Sequence, residues 1–236
     1  MKKIKILSLL AIITPILLTS CKNDKTDDKT INKEAAAEIG FYETYQLKEI
    51  APNIDNLRAE ALKANPQDST IEFFLQNLPT RLENGEGESP VVGYAAPTDT
   101  AAVNAILSQF ADKCLPADLK LLWTNKPNRD VYELVALKTI EGRPRMDGST
   151  IVKAECEDTP YGPTINLIMN KEGAAQWSQV TAENLNRSVA VVFKNEVYSF
   201  PRVLAQIDGG ATSITGDFTK QEMDEMINYL YGEKAD

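Results

Sequence analysis

The sequence contains no histidine, the side chain that most often moves protons near neutral pH. Without it, the Ser-His and Cys-His nucleophile pairs and the common zinc sites cannot form. Positive charge is also scarce, since 25 Lys and Arg stand against 34 Asp and Glu and give a net charge of -9. Binding to nucleic acid needs a basic surface, so this balance argues against nucleic acid as a partner.

Cysteine is nearly absent from the body of the chain, which has only Cys114 and Cys156. Two thiols in an oxidising compartment could form a disulfide. Sequence spacing does not show whether their Cα atoms come within bonding distance, however. A Cys114–Cys156 disulfide and two buried free thiols therefore both remain open.

Long apolar runs are missing except at the N-terminus. There a cluster of lysines precedes the mostly apolar residues 6–18, which Pro15 interrupts. A helix of that length reaches roughly 20 Å, which is short of the roughly 30 Å hydrocarbon core of a bilayer. The pattern predicts a secretory signal peptide over residues 1–20 rather than a transmembrane helix.

The signal ends in Leu18-Thr19-Ser20-Cys21, which resembles the lipobox of bacterial lipoproteins. This resemblance implies cleavage before Cys21 and acylation of its sulfur and its amine. Several acyl chains hold a protein on a membrane, so we expect an envelope protein with a lipid anchor, on either the inner or the outer membrane. Residues 21–37 are polar and charged, and they predict a flexible tether.

The body alternates two kinds of apolar pattern. Stripes of helical period occur over residues 53–64, 71–78, 100–111, 170–184 and 219–231. Segments rich in β-branched and aromatic residues predict strands at 119–124, 131–139, 150–155, 164–169, 188–194, 196–200 and 211–215. Asn195 separates two of these strands and predicts a tight hairpin turn. The fold class that follows is α+β, with mixed or antiparallel sheet.

Several short motifs occur one after another in the part of the chain that follows the predicted tether. They include Phe41-Tyr42-Glu43-Thr44-Tyr45, residues 119–126 (LKLLWTNK), Met169-Asn170-Lys171-Glu172-Gly173, Val197-Tyr198-Ser199-Phe200-Pro201 and Ile207-Asp208-Gly209-Gly210. In that order, from about residue 38 to residue 232, they resemble the first periplasmic domain of SecD, especially in its fused SecDF form.

The resemblance implies a two-part domain with a ferredoxin-like base and an inserted α+β head. On this pattern the base-like lobe covers residues 38–130, the head covers 131–218, and a C-terminal helix in 219–236 returns to the base. In the family the head is thought to swing about a hinge and to hold polypeptide emerging from the Sec channel, driven by proton flow through membrane helices. No long apolar run follows residue 18, so we expect no proton-driven cycle in this molecule alone.

The expected function is that of a non-enzymatic, lipid-anchored protein facing the periplasm. It would bind unfolded or translocating polypeptide, or components of the Sec translocase such as SecDF, and it would need no cofactor or metal. The candidate client-binding residues lie on and after the second hairpin strand: Val197, Tyr198, Phe200 and Val203.

Other functions remain open. The domain could be a docking or assembly module for another envelope complex, or a sugar-binding lipoprotein that uses aromatic residues such as Trp123, Tyr132, Tyr161 and Tyr198. Catalysis is disfavoured, because the candidate carboxylates fall into no known constellation. Those carboxylates are Glu155, Glu157 and Asp158, with Asp208 and Asp217 as a second pair.

Overall fold

The computed structural model describes residues 29–74, 85–160 and 162–233. The helices in these ranges are α1 (Lys33–Ala37), α2 (Leu47–Ala64), α3 (Ser69–Phe74), α4 (Thr100–Cys114), α5 (Lys171–Glu183) and α6 (Lys220–Leu230). Within the described ranges, no helix has both the length and the hydropathy needed to span a membrane. The predicted signal peptide and Cys21 lie outside the described residues.

The strands of the described residues form three sheets. They are β1 (Ile39–Glu43), β2 (Val91–Ala95), β3 (Leu119–Trp123), β4 (Tyr132–Lys138), β5 (Met146–Asp147), β6 (Ile151–Thr159), β7 (Gly162–Met169), β8 (Val189–Phe193), β9 (Glu196–Ser199) and β10 (Ala211–Ile214). The first sheet has the order β5-β1-β8-β9, the second β10-β7-β6 and the third β2-β4-β3. Neighbouring strands within each sheet are antiparallel. The predicted α+β class with antiparallel sheet is thus confirmed.

The first two sheets share one core, which we call the core of the major lobe (residues 29–43 and 140–233). Strand period places Ile39 and Phe41 on one face of β1, where they meet α5 and α6. The rings of Phe41 and Trp177 lie 5.0 Å apart. Helix α6 begins with a capping box between Thr219 and Glu222, as its sequence predicts.

The third sheet has its own core, which belongs to the minor lobe (residues 44–139). Helix α2 contributes an apolar stripe that includes Ile54 and Leu57, and α4 contributes Ile106 and Phe110. These helices cover one face of the third sheet, where Leu134 of β4 is fully buried.

This packing groups the chain differently from the bounds that the family resemblance implied. Strand β4, placed in the head on sequence grounds, pairs with β2 and β3 of the minor lobe. Strand β1, placed in the base, pairs with β8, and α6 packs against β6 and β7 of the major lobe. The sequence does not show which strands pair when the partners are so distant. A hydrophobic pattern indicates that a strand is buried, but it does not indicate which element covers it.

The described part of the predicted tether, residues 29–37, is also folded. Ile31 and Ala36 are buried in the core of the major lobe, and Asn32 caps the short helix α1 with its side chain. The sequence predicted a flexible tether because most residues of the segment are polar. The few apolar residues nevertheless hold residues 29–37 against α6, where the main-chain amide of Asn32 donates to the carbonyl of Leu230.

Candidate functional site

The hairpin β8–β9 carries the residues that the sequence singled out. Its turn consists of Lys194 and Asn195, whose φ angles of 50° and 65° are both left-handed. Asn tolerates this conformation, and a two-residue turn of this kind matches the twist of the flanking strands. The predicted turn at Asn195 is confirmed.

The four candidate client-binding residues do not share an exposed surface. Val197 is 0% and Val203 8% exposed, whereas Tyr198 and Phe200 keep part of their surface. Tyr198 stacks on Phe218 with ring centroids 5.6 Å apart. Burial raises the pKa of its hydroxyl, and the charge of Glu196 adds to the effect. In this conformation a client could touch Tyr198 and Phe200 but not the two valines, and client binding at these positions stays a prediction.

Three further apolar residues are exposed in the segments that precede and follow the hairpin. Leu204 is 80%, Leu185 47% and Ile207 36% exposed, and we call these three residues the loop patch. The backbone that carries it is held in place, because the Asn186 amide donates to the Val203 carbonyl at 2.8 Å. Sequence reasoning missed this patch, since isolated apolar residues in an irregular segment have no period to detect.

The two lobes meet through a third apolar layer, which we call the inter-lobe layer. It is formed by the second face of the first sheet and the second face of the third sheet. Its buried members are Tyr42, Val135, Leu137, Ala190, Val192 and Val197. The predicted client-binding residue Val197 therefore belongs to the contact between the lobes, and Phe200 packs against its margin.

On one side of the inter-lobe layer, Arg187 of the major lobe binds the start of α2. Its guanidinium donates to both carboxylate oxygens of Glu49, at 3.0 and 2.6 Å, and to the carbonyl of Thr44 at 3.1 Å. These hydrogen bonds lower the pKa of Glu49 and raise that of Arg187. A bidentate pair of this kind fixes orientation as well as distance.

The opposite side of the layer is closed by contacts of three residues, Lys120, Asn125 and Lys126. The Asn125 amide donates to the Val197 carbonyl at 3.0 Å, and the Lys120 ammonium donates to the Asn195 side chain at 2.8 Å. Lys126 pairs with Glu222 and also donates to the carbonyl of Asp217 at 3.0 Å. The hydrogen bond from Lys126 lowers the pKa of Glu222.

Cys114 and Cys156 form no disulfide with each other. Cys114 is buried in the core of the minor lobe, whereas Cys156 lies half-buried against the core of the major lobe. The disulfide left open by the sequence is therefore absent, because the two thiols belong to separate cores.

The candidate carboxylates are spread over the surface and have separate partners. Glu157 accepts from Asn166 at 2.7 Å on the second sheet, and Asp208 accepts from Ser178 at 2.6 Å beside α5. Across the three described ranges, no three His, Cys, Asp or Glu side chains converge in a way that could hold a metal ion. An open cavity of about 350 Å³ on the second sheet is lined by Glu157 and by hydroxyl and amide groups.

Two of the aromatic residues of the sugar-binding alternative, Trp123 and Tyr198, pack against different cores. Trp123 packs against the core of the minor lobe and donates to Asn104 at 2.9 Å, while Tyr198 packs against the core of the major lobe. Tyr161 lies outside the described residues.

Comparison with known proteins gives a consistent set of relatives. Residues 126–233 match the family model of the SecDF P1 head subdomain. The protein translocase subunit SecD of Rhodothermus marinus is 33% identical over 153 residues, which cover 61% of this chain and 24% of that protein. SecD of Magnetococcus marinus is 26% identical over 156 residues, which cover 63% of this chain and 29% of that protein. The chain thus spans about a quarter of the length of these curated relatives.

Among solved structures, SecDF, a membrane component that enhances protein export, is similar at a TM-score of 0.40 with 19% identity. The match covers 83% of this chain and 62% of that one. The family model and the SecD relatives agree with the resemblance to SecD that the sequence motifs predicted. This chain is therefore similar to a periplasmic domain of SecD and SecDF, and residues 126–233 match the P1 head subdomain.

Proposed function

We propose that this protein is a non-enzymatic, lipid-anchored envelope protein that binds unfolded or translocating polypeptide as an accessory to the Sec translocase. The observation that carries the proposal is the match of residues 126–233 to the SecDF P1 head subdomain. The SecD relatives are subunits of a protein translocase, and a polypeptide in transit is the substrate that such a machine handles.

The surface supports contact with an unfolded chain of variable sequence. Apolar contacts are non-directional, so the loop patch can accept many side chains without a fixed hydrogen-bond pattern. Tyr198 of β9 and Phe200, just after β9, add two partly exposed aromatic side chains. The net charge of -9 favours clients with basic segments, since opposite charges speed the encounter.

Client contact can be tested by photocrosslinking in cells whose secretion is arrested. A photoreactive amino acid at Leu204 should give adducts with translocating chains. The same amino acid at the exposed position Asn56, on α2 of the minor lobe, serves as the control. Adducts from position 204 and not from position 56 support the proposal. Equal yields from both positions, or none from either, would contradict it.

Cys21 lies outside the described residues, so the lipid anchor needs a biochemical test. Cys21→Ser should abolish incorporation of labelled palmitate and move the protein from the membrane fraction to the soluble fraction. Lys25→Ala, in the same polar segment, should change neither result. A Cys21→Ser protein that still takes up palmitate would refute the anchor at this position.

A further inference from the structure

The outer face of the second sheet carries the cavity of about 350 Å³, which the proposed function does not use. Strand period directs Ile165 and Leu167 of β7 into the core of the major lobe, where both are fully buried. The alternate residues Thr164 and Asn166 therefore face away from that core and line the cavity. Residues of β6 line one side of it, and residues 213–216 line the other. Its volume lies in the range of small-molecule pockets, which is roughly 300–1,000 Å³.

Thr164 is the side chain that points to a ligand. It lies on the central strand of the sheet and is only 8% exposed. Its side chain lines the cavity, yet within the described ranges its hydroxyl takes part in no hydrogen bond. Burial of a hydroxyl without a partner costs free energy, and most buried polar groups in native proteins are paired. The hydroxyl of Thr164 is thus available to a molecule that enters the cavity.

Beside Thr164, three side chains form a hydrogen-bonded row across the three strands. The Ser213 hydroxyl donates to Asn166 Oδ1 at 2.7 Å, and Asn166 Nδ2 donates to a carboxylate oxygen of Glu157 at 2.7 Å. These two bonds fix the orientation of the Asn166 amide. Among the described residues, the second amide hydrogen of Asn166 and the second oxygen of Glu157 have no other partner. A free donor and a free acceptor therefore lie close together in the cavity.

The lining chemistry favours a neutral ligand that carries several hydroxyl groups. No lysine or arginine occurs among the described residues that line the cavity, so no cation there can pair with a phosphate or carboxylate. Neighbouring hydroxyl groups of a sugar each donate and accept, which complements the free groups of Asn166 and Glu157. Pro163 and Gly216 add carbon surface that can contact the C–H groups of a sugar ring.

We propose that this cavity binds a neutral sugar. Asn166 and Glu157 hold a pair of adjacent hydroxyl groups, and the Thr164 hydroxyl bonds to a further oxygen of the ring. The site differs from the aromatic platform that the sequence suggested, because neither Trp123 nor Tyr198 lines it. It is also separate from the loop patch, so it does not depend on the proposed binding of polypeptide.

Titration followed by nuclear magnetic resonance can detect and locate weak binding in this open cavity. The probes are glucose, galactose, mannose and N-acetylglucosamine, each added to isotope-labelled protein. At least one sugar should shift the main-chain amides of Asn166 and Ser213 in a saturable way, while the amide of Asn56 in the minor lobe stays unchanged. Inorganic phosphate should cause no saturable shift at the cavity. Saturation by phosphate and by none of the sugars would overturn the proposal.

Thr164→Val separates a role in ligand binding from a role in the fold. The substitution removes the hydroxyl and nearly keeps the shape of the side chain. Because that hydroxyl has no partner among the described residues, the free energy of unfolding should stay the same or rise. The affinity for the sugar should fall about fivefold, as expected for the loss of one hydrogen bond. A less stable protein with unchanged sugar affinity would overturn the assignment.

Glu157→Gln tests the charged acceptor, and Glu155→Gln is its matched control. Both glutamates are exposed on β6, but Glu155 pairs with Lys153 and does not line the cavity. We expect Glu157→Gln to bind the sugar about tenfold more weakly, since hydrogen bonds to charged groups are the stronger ones. Glu155→Gln should bind as the wild type does. Equal affinities of the two variants would overturn the proposal, and this result would leave the proposed binding of polypeptide untouched.

Discussion

Glu49 serves two partners with a single carboxylate. One oxygen accepts from the Gln46 amide at 2.8 Å and so caps the first turn of α2, while both oxygens accept from Arg187. The side chains of Glu49 and Arg187 are 33% and 24% exposed, so solvent screens the pair only partly. One residue thus fixes both the start of a helix and its orientation against the other lobe.

We expect Glu49→Gln to lower the free energy of unfolding at pH 7 by about 1–2 kcal/mol, because it removes a charged acceptor from three hydrogen bonds. The folded state lowers the pKa of Glu49 below its ordinary value of 4.5. Stability from such a group is present above the unfolded pKa and is lost as the pH falls through the folded pKa. The difference between wild type and variant should therefore shrink below about pH 4.5, as urea unfolding at several pH values can measure.

The control for this residue is Glu141→Gln. Glu141 pairs with Arg143 at 3.0 Å, but the two side chains are 81% and 74% exposed. We expect a change within about 0.5 kcal/mol at every pH, since exposed pairs contribute little. An equal loss in the two variants would show that Glu49 has no special role.

At the scale of the elements, the edge strand β6 has main-chain groups that a tyrosine side chain covers. The hydroxyl of Tyr231, just after α6, accepts from the Ala154 amide at 3.3 Å and donates to the Ala154 carbonyl at 3.1 Å. One side chain therefore satisfies the amide and the carbonyl of Ala154, two of the main-chain groups that a further strand would have used.

We expect Tyr231→Phe to lower the free energy of unfolding by about 1 kcal/mol and to accelerate hydrogen exchange of the Ala154 amide. Tyr229→Phe is the matched control, because that hydroxyl bonds to the exposed carboxylate of Glu38. Its loss should leave exchange at Ala154 unchanged. Protection of Ala154 that survives in Tyr231→Phe would show that the hydroxyl does not cover the edge.

Local patterns predicted many of the elements. The strand period located β3, β4 and the β8–β9 hairpin to within two residues, and the helical stripes over residues 170–184 and 219–231 coincide with α5 and α6. Apart from the β8–β9 hairpin, the sequence did not show which strands pair with each other. Gly40 faces Val192 in the first sheet, and Arg187 contacts Glu49, each pair more than a hundred residues apart. Val197 looked like a surface residue on a hairpin for the same reason, since the third sheet, which covers it, is remote in sequence.

At the scale of the whole molecule, Leu137 tests whether the inter-lobe layer couples the lobes. It is fully buried in the layer, whereas Leu57 is fully buried within the minor lobe alone. We expect Leu137→Ala to cost about 2–5 kcal/mol, as cavity-forming substitutions do, and to accelerate exchange of core amides in both lobes. The readouts are the amides of Val191 in the major lobe and Val92 in the minor lobe.

Leu57→Ala makes the same chemical change and should cost a similar amount. Its effect on hydrogen exchange should be confined to the minor lobe, because no atom of Leu57 belongs to the shared layer. If Leu137→Ala also changes exchange in the minor lobe only, the layer does not couple the lobes.

The side-by-side crossings at Thr44 and Leu137 have a consequence for modularity. Because the chain leaves the major lobe and returns to it at neighbouring points, the minor lobe has the geometry of an inserted domain. Deleting the minor lobe and joining the two chain ends by a tight turn would leave β1 paired with β8 and the first sheet uninterrupted. Such a shortened protein would expose the apolar face of β1 and β8 that the minor lobe now covers. One added amphipathic strand or helix could then cover that face in place of the minor lobe.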